Sequence, residues 1–297
     1  MSRTPVLFLA LAALGLTAAP AQARDPLVLE PSSEWVVDFG EARCRLARYF
    51  GEGEDRHMLF FQQWQPGRGF SFTAAGPGFR NFRSRRETLV RFRADREPQE
   101  TEPFVGDIDG GGHALIFSWL SHAPRRPDIE GRNFDERFET SLPQLDIGEA
   151  DATTSIALRQ RSREVVFETG PLGEPFKVLN QCTRDLVKDW GLDPERHLTA
   201  TRMVRLDNLE EVVRQVQRRY PADALRRGEQ GILRIRVMVD ETGTPTQCVL
   251  NEVTRTERLD SPACDPLMRA DFSPALDAEG KPFASYYTTS ITYQIGS

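Results

Sequence analysis

The stretch that most constrains this chain is GILRIRVMVD, from Gly231 to Asp240. Leu233, Ile235, Val237 and Val239 alternate with Arg234, Arg236 and Met238. A period of two puts one set on each side of an extended chain, so the pattern predicts a half-buried strand. The DETG that follows predicts a hairpin turn over Asp240 to Gly243, with Gly243 free to take positive φ. Thr246 to Thr254 is expected to return antiparallel. Upstream, DNLEEVVRQVQRRY predicts a helix with capping-box spacing between Asp207 and Glu210. Its inward residues are Leu209, Val212, Val213, Val216 and Tyr220. Pro221 ends that helix or opens a second short one, which Gly228 can stop. Downstream, LDSPACDPLMRADF predicts a helix capped by Asp260 or Ser261, with Pro262 at its first position. FSPAL and the turn DAEGKP lead into a last strand, FASYYTTSITYQI. The order is helix, strand, strand, helix, strand.

The other end of the chain carries a targeting signal. Arg3 supplies a positive start, Val6 to Ala19 is uncharged and mostly apolar, and Ala21-Gln22-Ala23 is an A-x-A site. That layout predicts a secretory signal peptide over residues 1–23, cleaved between Ala23 and Arg24. An inner-membrane anchor is the alternative if the segment is not cleaved. The expected compartment is the periplasm. The 297 residues are 39% hydrophobic and 28% charged, a globular composition. A net charge of −6 gives no nucleic-acid footprint. Four cysteines, Cys44, Cys182, Cys248 and Cys264, all lie beyond the signal, so an oxidising compartment favours two disulfides with three pairings open.

Residues 24–200 read as a β-rich N-terminal domain of unassigned family. Leu89 to Asp95, His113 to Leu120, Thr153 to Gln160 and Arg163 to Gly170 are rich in β-branched and aromatic residues and are separated by Pro and Gly clusters. In EPFKVLNQCTRDLVKDWGL, residues Phe176, Leu179, Leu186, Val187 and Trp190 share one helical face. Pro175 fits the first turn of that helix and Gly191 its C-terminal cap. The first domain is therefore expected to be mainly antiparallel β with a packed helix. Leu192 to Arg202 reads as a connector, and residues 205–297 as the second domain.

Local chemistry is sparse. His57, His113, His122 and His197 form no zinc-binding or H-E-x-x-H spacing, so no metal site is expected. Asp107 to Gly112 starts like a calcium loop, but its twelfth position is Ser118 rather than Glu, which leaves a glycine-rich strand connection. No phosphate loop, G-x-S-x-G elbow or C-x-x-C is present. The expectation is no enzyme, no catalytic residue and no cofactor. A hydrolase built from His113 or His122 with Asp107 or Asp109 is the remote alternative. The run Arg80, Arg83, Arg85, Arg86, Arg91, Arg93 and Arg96, with Phe79, Phe82 and Phe92, reads as the solvated face of a hairpin. Docking of an anionic polymer or acidic partner is the other reading.

The closing module resembles the C-terminal domain of TonB-type proteins. The resemblance rests on Tyr220-Pro221 with Ala224, Gly228, Gly231-Ile232, Val239-Asp240 with Gly243, Leu259-Asp260, Phe272-Ser273-Pro274-Ala275 and Gly280-Lys281-Pro282. It covers about residues 207–297 and implies an α+β, αββαβ module with a three-stranded antiparallel sheet. It also implies a protein-binding role. Its last strand, Tyr286, Tyr287, Thr288, Thr289, Ser290, Ile291, Thr292 and Tyr293, would pair with an extended peptide. The implied partner is an outer-membrane TonB-dependent receptor or another cell-envelope protein, with no nucleic acid and no small-molecule cofactor. TonB-dependent transmembrane transport is the implied setting. With the signal cleaved, the family's membrane anchor is not expected, and no Pro-rich stretch precedes the module, so an envelope scaffold without a transport role stands as the alternative, its edge blocked by the first domain or by self-pairing. In the implied fold, Cys248 sits on the second strand and Cys264 on the helix against the sheet, which pairs them. Cys44–Cys182 follows by exclusion. Proline at Thr289 is expected to disrupt outward pairing of the last strand.

Overall fold

The computed structural model describes residues 25–84, 86–124, 140–219, 226, 231–252 and 262–293. The signal segment with Ala23 and Arg24 lies outside the described residues, as do Tyr220-Pro221, Ala224, Gly228, Leu259-Asp260 and Ser261.

The first half runs through β1 (Leu27–Leu29), β2 (Val36–Phe39), β3 (Cys44–Phe50), β4 (His57–Gln63), β5 (Phe70–Ala75), β6 (Thr88–Arg91), β7 (Gln99–Thr101), β8 (Phe104–Ile108) and β9 (Gly112–Leu120). Then come α1 (Ile147–Asp151), β10 (Ile156–Gln160), β11 (Arg163–Phe167) and α2 (Gly173–Asp189). Six strands form an antiparallel sheet in the order β2-β3-β4-β5-β9-β8. Five form a second sheet, β1-β11-β10-β6-β7, in which β1 runs parallel to β11. Aromatic side chains fill the space these sheets and α2 enclose. Phe61 meets Phe70 edge-on at 4.8 Å, and Phe176 of α2 meets Phe61 at 5.0 Å and Phe70 at 5.6 Å. Edge-to-face pairs add to the burial of large rings. The helical stripe explains why α2 docks here: Phe176, Leu179, Leu186 and Val187 are all buried. The strand expected over Leu89 to Asp95 stops at Arg91, because Arg93 turns away to pair with Asp95 and Glu149.

The second half holds α3 (Pro194–Leu198), β12 (Arg205–Leu206), α4 (Leu209–Arg218), β13 (Gly231–Val239), β14 (Pro245–Glu252), α5 (Cys264–Leu267), β15 (Phe272–Ser273), β16 (Ala275–Leu276), β17 (Pro282–Phe283) and β18 (Ser285–Tyr293). The three-stranded antiparallel sheet has the order β14-β13-β18. Gly243 closes the β13–β14 turn at φ +88°, where a Cβ would lie 2.3 Å from the Phe272 carbonyl oxygen. Both its backbone conformation and its space demand glycine.

Several local expectations change. Residues 192–202 are a packed segment rather than a plain connector: Asp193 caps α3, and His197 within it is fully buried. The Asp207–Glu210 capping box does not form, because Asp207 accepts from Arg205 at 2.7 Å and from Ser273 at 2.7 Å. Asn208 takes the cap position instead and bonds Asp271. Val213 faces solvent while Val212 and Val216 are buried. The helix around Cys264 begins after Ala263, and Pro262 precedes it in a turn.

Both disulfides form as expected, Cys44 to Cys182 and Cys248 to Cys264, with Cα atoms 6.0 Å and 5.7 Å apart. The first ties β3 to α2 and the second β14 to α5. A second core lies under the three-stranded sheet. It includes Val212, Val216, Ile235, Val237 and Leu267, but also Leu142, Val187, Ala200 and Met203. Helix α2 thus contributes Leu186 to the first core and Val187 to the second.

Candidate functional site

Strand β18 is an edge. Among the described residues it pairs with β13 alone. Which of its backbone groups face outward follows from the hairpin at the far end of β13. Asp240 donates its N–H to the Thr244 carbonyl at 3.0 Å and accepts from Gly243 N–H at 3.1 Å, so both its groups point to β14. The Met238 carbonyl also faces β14, because it accepts from the Thr246 hydroxyl at 3.3 Å. Backbone groups alternate sides along an extended strand. The groups of Val239, Val237, Ile235 and Leu233 therefore face β18, where their register partners are Ser285, Tyr287, Thr289 and Ile291. The remaining residues, Tyr286, Thr288, Ser290 and Thr292, turn their amides and carbonyls away from the sheet. Thr289 is thus an inward position, which corrects the expectation that proline there would test outward pairing. Thr288 and Ser290 are the positions that do.

The sheet's two faces are covered differently. Ile235 and Val237 face the second core, with Tyr287 against Phe272 at 5.5 Å between ring centres. The arginine face meets the first half of the chain. Arg234, 8% exposed, lies over the Trp64 ring at 5.5 Å and donates to the Ser118 carbonyl. Burial pushes its pKa down to about 10. The Arg236 guanidinium sits 3.9 Å from the centre of the Trp190 ring. Tyr286 packs edge-on to Trp190 at 5.1 Å and stacks on His197 at 5.8 Å. Burial raises the Tyr286 phenol well above its ordinary range. The register irregularity between β5 and β9 falls beside Ser118. A bulge of this kind breaks the local ladder and re-aims backbone groups. So the first half covers this face as far as Arg234, which lies opposite Ser290 in the register, while on β18 Thr288, Thr289 and Ile291 stay partly exposed and Ser290 exposed.

The other candidate residues do not converge. His113 Nδ1 lies 3.0 Å from Asp107 Oδ1 on the surface, at one end of β9. His122 lies past the other end, buried, and donates Nε2–H to the Asp146 carbonyl at 2.7 Å. His57 donates to the Asp55 carbonyl and accepts from Gly78 N–H at 2.9 Å. His197 donates to the Asp193 carbonyl at 2.6 Å and accepts from the Ser285 hydroxyl at 2.8 Å. Burial lowers the pKa of His57, His122 and His197, which keeps these rings neutral near pH 7. Asp107 to Gly112 forms the β8–β9 hairpin, with Gly111 N–H on the Ile108 carbonyl. Among the described residues no group of three or more His, Cys, Asp or Glu could hold a metal ion.

Residues 216–295 match the family model described as the Gram-negative bacterial TonB protein C-terminal. This segment is similar to a TonB-type C-terminal domain. The match spans α4's last turn, the three-stranded sheet, α5 and all of β18. No curated protein and no solved structure matches the chain. The TonB family places the module among protein-interacting modules of the cell envelope. Among the described residues no helix is long and apolar enough to cross a membrane.

Proposed function

We propose that this protein is a periplasmic adaptor whose β18 edge binds an extended segment of an outer-membrane TonB-dependent receptor. The observation that carries this reading is an edge left unpaired among the described residues, in a segment similar to a TonB-type domain, with the backbone groups of Thr288 and Ser290 turned outward. An added strand would take its affinity from main-chain hydrogen bonds and its specificity from alternate side chains. Those side chains would lie beside Tyr287, Thr289 and Ile291 on one face and beside Thr288 and Ser290 on the other. A signal peptide over residues 1–23 would deliver the chain to the periplasm.

A second reading is an envelope scaffold without a transport role. The docking of Arg234 and Arg236 on Trp64 and Trp190 favours it, because it fixes the module to a folded neighbour. Titration of the full chain with synthetic peptides from receptor N-terminal segments separates the two. Wild type and Thr288→Ala are expected to bind alike, and Thr288→Pro, shown folded by circular dichroism, at least tenfold more weakly. A folded Thr288→Pro protein that binds as tightly as wild type overturns edge pairing at Thr288. Failure of every peptide leaves the scaffold as the better account.

A further inference from the structure

Among the described arginines of residues 83–96 the structure separates two populations, and Arg85 lies outside the described residues. Arg91 pairs with Glu164 at 3.2 Å, Arg93 with Asp95 and Glu149, and Arg96 with Glu149. Arg83 and Arg86 make no ion pair with a described residue. They stand on the loop before β6, and the β10–β11 hairpin brings Arg159, Arg161 and Arg163 beside them. The five line two adjoining open depressions, of about 440 Å³ and 220 Å³, that share Arg86 and Arg161. Among the described residues Glu87 is the single carboxylate in either lining. Glu164, opposite Arg159 in the ladder, is already taken by Arg91. This concentration of positive charge sits on a chain whose net charge is −6.

Two further features fix the backbone that carries the cluster. Gln160, 5% exposed, accepts from Arg83 N–H at 2.9 Å and donates to the carbonyls of Arg83 and Arg86 at 3.1 and 3.3 Å and to Thr88 Oγ1 at 3.1 Å. One buried amide thus cinches the loop to the hairpin. Arg161 has φ +57°, the one non-glycine residue with positive φ among the described residues. Glycine or asparagine would meet that turn at lower cost. The chain keeps a guanidinium there, and it borders both depressions.

We infer that this arginine cluster is a binding site for phosphate groups. Guanidinium forks bind tetrahedral oxyanions bidentately, and several can share one dianion or a pair of adjacent ones. The open shape admits a phosphate presented by a larger molecule as well as a free diphosphate. The site is separate from the β18 edge and does not depend on strand addition.

The test uses the full chain. Pyrophosphate is titrated calorimetrically, and vesicles of phosphatidylglycerol in phosphatidylcholine are compared with phosphatidylcholine alone in flotation. The variants are Arg161→Gly, whose turn suits glycine, the double variant Arg161→Gly with Arg163→Gln, and Lys188→Gln, which removes one exposed charge outside both depressions. At least one probe is expected to bind wild type, tenfold or more weakly to the double variant, and within twofold of wild type to Lys188→Gln. Pyrophosphate binding alone assigns a soluble phosphate compound, and capture by anionic vesicles assigns a lipid headgroup. The inference is overturned if neither probe binds the folded wild type, or if Lys188→Gln weakens binding as much as the double variant.

Discussion

Arg234 and Arg236 show how one residue type can join two halves of a chain. Each lays a guanidinium on an indole, and each leaves its Nε without a hydrogen-bond partner among the described residues. Desolvated cation–π contacts are worth about 2 kcal/mol. Trp190 also packs against Tyr286. Trp190→Ala is expected to cost about 3 kcal/mol, read as a fall in the urea midpoint, and a loss under 1 kcal/mol would contradict this packing. A pH effect belongs at the same scale. The pKa values of His57, His122 and His197 are lowered on folding, chiefly by burial. The unfolded chain therefore binds more protons below about pH 6.5, where free imidazole titrates. Stability is expected to be full above that pH and to fall as pH drops towards the folded values. Equal urea midpoints at pH 7.5 and pH 5.5 would show that these rings are not buried neutral. The sequence made Leu233, Ile235 and Val237 legible as one face. It could not reveal Trp64 over Arg234, because alternation tells which side chains share a face and not what covers it.

At the scale of elements, β18 divides its backbone between two tasks. The inward groups of Thr289 hold it to β13, and the outward groups of Thr288 have no strand partner among the described residues. Thr289→Pro is expected to destabilise the fold by about 2 kcal/mol or more, since it removes a ladder donor and strands the opposing carbonyl. Thr288→Pro should cost much less in stability. Denaturant midpoints of the two variants check the assignment, and the reverse order would contradict the register direction. The closing strand itself was plain from its β-branched and aromatic run. Its pairing phase was not, because the sequence does not say which amides point where; that came from the Asp240–Thr244 bond and the Met238 carbonyl. Likewise the stripe of α2 was plain, whereas the cap of α4 was not. The Asp207 carboxylate is held by Arg205, two residues away, and by Ser273, which is remote in sequence.

In the whole molecule, two cores meet along α2. Leu186 belongs to one and Val187 to the other, and Arg234 and Arg236 bridge the same seam. Thermal unfolding is accordingly expected as one cooperative transition, followed in parallel by near-ultraviolet circular dichroism and calorimetry. Two resolved transitions would show that the seam carries little energy. The Cys44–Cys182 bridge closes a separation of 138 residues, and the Cys248–Cys264 bridge one of 16. In the chain-entropy model these are worth about 5 and about 3 kcal/mol.

The claim on which the rest depends is that the outer edge of β18 accepts a strand. Amide hydrogen exchange at single-residue resolution, on the full chain with and without a saturating receptor peptide, tests it directly. In the free protein the Thr288 and Ser290 amides are expected to exchange quickly, while those of Tyr287 and Thr289 are protected by β13. With peptide bound, Thr288 and Ser290 should slow at least tenfold. Protection of Thr288 and Ser290 already complete in the free protein, or unchanged when a peptide is bound, would contradict the account.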